Sequence, residues 1–99
     1  MTQRILITGS EGLIGRVVRE DLAANGYLIK GLDLRGLNDE RGDVCNAAHV
    51  ANAVASCDGV LHLAAVSRVV WGERDPERCW ATNVGGLCNV IEAAQSHGR

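Results

Sequence analysis

Three glycines stand at every third position of the stretch "ILITGSEGLIG", at Gly9, Gly12 and Gly15. An acidic residue, Asp33, follows eighteen positions after the last of them. A glycine turn lets the main chain approach an anion. The N–H groups that open the following helix then point at it with partial positive charge. The first glycine allows a sharp exit from a strand. The second removes a Cβ where a pyrophosphate must approach, and the third lets helix and strand pack closely. A carboxylate at the end of the next strand can accept both hydroxyls of a ribose diol. The four groups together suit a dinucleotide.

That chemistry requires a strand, a turn, a helix and a second strand, and the sequence supplies them. "RILITG" (4–9) is a short, β-branched strand. "GLIGRVVREDLAANG" (12–26) has helical spacing, with Ile14, Val18 and Leu22 as an apolar stripe and Leu13 and Val17 beside it. Asn25-Gly26 ends that helix. "YLIKGLDL" (27–34) is a second strand, 35–43 a polar loop, 46–56 a short helix, and "GVLHLAAV" (59–66) a third strand. Asp75 fits an N-cap and Pro76 the first helical position. Trp80, Val84, Leu87, Ile91 and Ala94 then mark one apolar face of the longest helix, expected to cover the sheet. This alternation specifies an α/β fold with a parallel sheet. Its ligand rim lies beyond the carboxyl ends of the strands, at 9–12, 33–35 and 64–67.

With these motifs in place, the chain resembles the extended short-chain dehydrogenase/reductase family, the NAD-dependent epimerases and dehydratases of nucleotide sugars. Thr8, Gly9, Gly12 and Gly15 match the opening T-G-x-x-G-x-x-G. "GDV" (42–44) resembles the family's adenine-holding pair, "HLAAVS" (62–67) its H-x-A-A run, and "DPERCWATNVGGLCNVIEAA" (75–94) its Asn-containing helix. The resemblance covers nearly the whole chain. It implies a partial Rossmann-like domain over 1–99, with three clear strands and a further one, before Asp43, clipped or absent. It implies NAD as cofactor, NADP being less favoured because Glu11 and Asp33 would both repel an added phosphate, although Arg35 would attract it. Leu13 and Ile14 would offer main-chain N–H groups to the pyrophosphate, Asp33 would take the ribose with Leu34 and Arg35 at its flanks, and Asp43 and Val44 would meet adenine. Leu63, Ala64 and Ala65 would lie along the cofactor, and Thr82 near its nicotinamide half. Asn83 falls where relatives use a helix kink.

The family's catalysis uses a Tyr and a Lys four residues apart on one helix face. Here the only Tyr and Lys, Tyr27 and Lys30, are three apart in a strand, where odd spacing sends side chains to opposite faces. No catalytic residue is therefore assigned. His62, alone in an apolar strand, reads as a hydrogen-bonded core residue. Leu87 stands where relatives have Thr or Ser. The expected function is a dinucleotide-binding module without chemistry of its own, the substrate-binding part lying outside this chain. The alternatives are the family enzyme with its active part elsewhere, and an interaction protein that has lost the cofactor.

Bulk properties narrow the partners. The net charge of −2 gives no basic face for nucleic acid. No apolar run reaches membrane-spanning length. The four cysteines show no C-x-x-C pair and no zinc spacing, so no metal is expected and reduced thiols in the cytoplasm are. The open edge of the third strand and a wide apolar surface on the last helix predict a homodimer or higher oligomer.

Overall fold

The computed structural model describes residues 2–65 and 74–98. Three parallel strands, β1 (Arg4–Thr8), β2 (Leu28–Leu32) and β3 (Gly59–His62), form a sheet of order β2-β1-β3. Ile7 sits opposite Gly31, and Thr8 opposite both Leu32 and His62, so the carboxyl ends of the strands are level. The helices are α1 (Leu13–Ala24), α2 (Ala47–Ala55), the short α3 (Pro76–Trp80) and α4 (Gly86–Ser96). A wide π-helical turn, Ala81–Gly85, joins the last two and contains Asn83. This is a Rossmann-like α/β arrangement. The third strand is shorter than the sequence suggests, and expectations at 66–67 lie outside the described residues.

The sequence explains where the elements begin and end. Asn46 caps α2 by accepting from the N–H groups of Ala48 and His49 at 3.0 and 3.2 Å. Asp75 caps α3 through Arg78 N–H at 3.0 Å, and Pro76 follows in the first turn. Gly26, with φ 91°, closes α1.

The apolar stripe of the last helix is out of phase with the expectation, and that of α1 only in part. In α4 the buried residues are Gly86, Val90 and Ala93, while Leu87 and Ile91 face outward, as do Trp80 at the end of α3 and Val84 in the π-helical turn. The reason is steric. A Cβ on Gly86 would come within 2.7 Å of Val44, so the helix makes its close approach on its small-residue face. In α1 Gly15 is the buried residue, Val18 and Leu22 are half-buried, and Leu13, Ile14 and Val17 are exposed. The core is consequently one-sided. Leu6, Leu32, Val44, Val50, Val54, Cys57 and Val90 fill the space between the sheet and the α2–α4 layer.

The strand expected before Asp43 survives as a single parallel bridge, Asp33 to Arg41. A side chain replaces the rest of it. Glu40 Oε2 accepts the outward Gly31 N–H at 2.8 Å, and the same carboxylate is held by both terminal nitrogens of Arg19 at 2.9 Å. The Arg19 hydrogen bonds hold the Glu40 carboxyl below its ordinary value against the opposing effect of burial. The outer edge of β2 is thereby closed with a charged group.

Candidate functional site

β1 runs straight into the glycine turn. Gly9 takes φ +71°, a conformation that side chains disfavour, and donates its N–H to Leu32 O at 2.8 Å. A Cβ there would also approach Ala64 N to 2.9 Å. Gly15 lies so close that an added Cβ would collide with the Gly9 carbonyl oxygen. Gly12 differs. Its φ is −75°, and its Cβ would meet only Gly9 O, at 3.2 Å. Packing therefore requires glycine at positions 9 and 15 and only mildly disfavours a side chain at 12, which borders the open cleft.

Thr8 fixes the other wall. Its buried Oγ1 accepts from Leu63 N–H at 3.0 Å and Ala64 N–H at 3.2 Å. With both lone pairs used, its proton goes to His62 Nδ1, 2.6 Å away. The ring is thus held neutral with its own proton on Nε2, and burial lowers its pKa from 6.5, in agreement. His62 is the hydrogen-bonded residue expected from the sequence. It anchors the strand end that carries Leu63 to Ala65.

These walls enclose a cleft of about 970 Å³ at the carboxyl ends of the strands. It brings together Gly9, Gly12, Leu13, Ile14, Gly15, Asp33, Leu34, Arg35, Asp43, Val44, Leu63, Ala64, Ala65 and Thr82. Among the residues expected at the site, Glu11 does not line it. Its main chain meets Asp33 and Arg35, but its carboxylate turns to Arg16 Nε at 3.4 Å. Sequence reasoning missed Leu32, Gly42, Arg74, Asp75, Arg78 and Cys79, which also line the cleft. Arg78 had a legible signal, being one helical turn before Thr82.

Asp33 is prepared to accept further hydrogen bonds. Oδ2 accepts from Glu11 N–H at 3.0 Å and Oδ1 from Arg35 N–H at 2.8 Å, which leaves each oxygen a second acceptor site. Two hydroxyls on neighbouring carbons match that pair. The Arg35 guanidinium lies beside the same carboxylate, Nε 3.6 Å from Oδ1, and donates to Glu11 O at 3.1 Å. Asp43 is held by its N–H to His49 Nδ1 at 3.1 Å, with Arg78 3.9 Å from its Oδ2. Thr82 lies 3.6 Å from Cys45 Sγ, beside the Asp43–Val44 turn. Tyr27 precedes β2, at the end of the sheet opposite the cleft, and Lys30 pairs with Asp39 at 3.4 Å. Neither reaches the cleft.

The glycine turn, the paired acceptor sites and the T-G-x-x-G-x-x-G register meet a family-level match. The family model of the NAD dependent epimerase/dehydratase family covers residues 5–99. The chain belongs to this family. The uronate dehydrogenase of Agrobacterium fabrum is 38% identical over 104 residues, covering 98% of this chain and 38% of that protein. A short-chain dehydrogenase/reductase superfamily protein from Agrobacterium tumefaciens, solved with bound NAD, superposes with TM-score 0.83 at 32% identity over 96% of this chain and 30% of its own. A dTDP-4-dehydrorhamnose reductase from Bacillus anthracis, in complex with NADP, gives TM-score 0.84 at 29% identity, covering 99% of this chain and 34% of its own. The chain thus spans about a third of the length of the proteins it resembles. Its four cysteines form no disulfide. Among the described residues no three His, Cys, Asp or Glu side chains gather to hold a metal ion. No helix of the described residues is long and apolar enough to cross a membrane.

Proposed function

We propose that this chain is a dinucleotide-binding module that takes NAD in preference to NADP. The observation that carries this reading is the cleft itself. The close-packed Gly9 and Gly15 hold a turn that leaves the Gly12 position open, with the Asp33 carboxylate beside it. The pyrophosphate would lie over the turn and the N-terminus of α1, and the adenosine ribose on Asp33. Adenine would lie between Val44 and Arg78. The preference for NAD rests on Asp33, which would repel a 2′-phosphate, because Glu11 is turned away toward Arg16. When bound, such a cofactor supplies hydride chemistry. In this reading the chain's own residues bind and orient it. Relatives solved with NAD and with NADP support the general assignment.

Calorimetric titration with NAD tests this. Gly12→Val places a side chain in the cleft and should abolish binding while the fold persists. Equal NAD affinity in the wild type and in Gly12→Val would overturn the assignment. The same reading places the protein in the cytoplasm as a self-associating chain. The outward apolar residues of α4, and an edge of β3 that has no second strand among the described residues, support the self-association.

A further inference from the structure

The vestigial strand leaves a second hollow on the far side of the Arg41–Asp43 segment. It is a cleft of about 250 Å³ between β2 and α2, bordered by Lys30, Asp39, Arg41, His49 and Asn52. Its polar groups are mostly donors. His49 Nδ1 accepts from Asp43 N–H at 3.1 Å, so the neutral ring carries its proton on Nε2. Arg41 and Asn52 contribute a guanidinium and an amide. Lys30 shares the inner face of β2 with Leu32, and its side chain is 21% exposed. The only carboxylate lining this hollow among the described residues is Asp39. It is 81% exposed and 3.4 Å from the ammonium. A partner so exposed compensates this half-buried cation weakly, and the Glu40 carboxylate, which also acts on the ammonium from outside the hollow, is already held by Arg19 and the Gly31 N–H.

We propose that this cleft binds a small divalent oxyanion, either phosphate or a short dicarboxylate. Lys30 and Arg41 supply the charge, and His49 Nε2–H and the Asn52 amide supply directed donors. The site is distinct from the glycine turn and does not depend on the dinucleotide reading.

The test titrates the full chain with inorganic phosphate and, separately, with malonate, at constant ionic strength set by sodium chloride. Calorimetry gives the affinity, and amide NMR shifts at Arg41, His49 and Asn52 give the location. At least one anion should saturate the site in the millimolar range, and the one that does identifies the source. Binding should persist in Gly12→Val, which blocks the glycine turn. It should fall at least tenfold in Arg41→Gln and in Asn52→Asp, and tighten severalfold in Asp39→Asn. Asn52 is an exposed helix position, so that variant retains the fold even if Arg41→Gln does not. Failure of both anions to saturate would overturn the proposal. So would binding that is lost in Gly12→Val but kept in Arg41→Gln and Asn52→Asp, since that places the anion in the dinucleotide cleft.

Discussion

At the residue scale, the three glycines of one motif do unequal work, and substitution separates them. Gly15→Ala should be strongly destabilising, by about 3 kcal/mol or more, because its Cβ overlaps the Gly9 carbonyl in a helix–turn contact that cannot widen cheaply. Gly12→Ala needs a shift of only a few tenths of an ångström and should cost less than about 1 kcal/mol, yet weaken NAD binding. Urea unfolding beside calorimetry checks both, and equal stability losses would contradict the division of roles. Thr8 offers a second residue-level test. Thr8→Val keeps the shape, and the Leu63 N–H keeps its bond to the Thr8 carbonyl, but it strands the Ala64 N–H and the His62 ring, at a cost of about 1–3 kcal/mol in urea melts. His62 itself is pH-linked. Its pKa in the folded chain lies below 6.5, so as pH falls the unfolded chain takes up the proton first. Its contribution is complete above about pH 6.5 and is lost as pH drops through the folded value. The stability difference between the wild type and His62→Gln should therefore narrow from pH 7 to pH 5. A constant difference would mean that the ring is not held neutral.

At the element scale, the glycine turn, Asp33, the helix cap at Asp75 and the alternating α/β order were legible in the sequence. Each is a local rule with a local cause. The inward faces of the helices were not. Reading large apolar residues gave the right period, but the wrong phase in the last helix and only Val18 and Leu22 on the inner side of α1, because Gly15 and Gly86 carry no hydrophobic signal and yet mark the sides of closest approach. The replacement of a strand by Glu40 was also invisible, since it joins Arg19 on α1 to Gly31 on β2 across distant positions. That substitute can be tested. Glu40→Ala uncaps the Gly31 N–H and should speed its hydrogen exchange at least tenfold, with a loss of about 1–2 kcal/mol. In the wild type, Glu40's share of stability is present above its unfolded value of 4.5 and disappears as pH falls through the lowered folded value. That window opens at a lower pH than the one set by His62. An unchanged Gly31 exchange rate in Glu40→Ala would show that the carboxylate does not protect this edge.

At the scale of the whole molecule, the two edges of the sheet are treated differently. β2 is closed by Glu40, Arg19 and the bridge to Arg41, whereas β3 pairs only with β1 among the described residues. The helix layer repeats the asymmetry. α4 buries Gly86, Val90 and Ala93; Leu87 and Ile91, with Val84 in the preceding π-helical turn, point outward at spacings of three and four, and Trp80 lies a turn earlier, 68% exposed. That spacing forms a seam for another helix, and exposed apolar surface in such a row favours association in water. Self-association should therefore run through α4. Sedimentation velocity from low to high micromolar concentration should show the wild type shifting to a dimer or larger species. Leu87→Glu with Ile91→Glu should hold it monomeric without loss of helix content, because neither residue is part of the core. NAD affinity should be unchanged in that double variant, since neither residue lines the dinucleotide cleft. A wild type that stays monomeric throughout the range would refute the association. An oligomer that persists in the double variant would move the contact from α4 to the β3 edge.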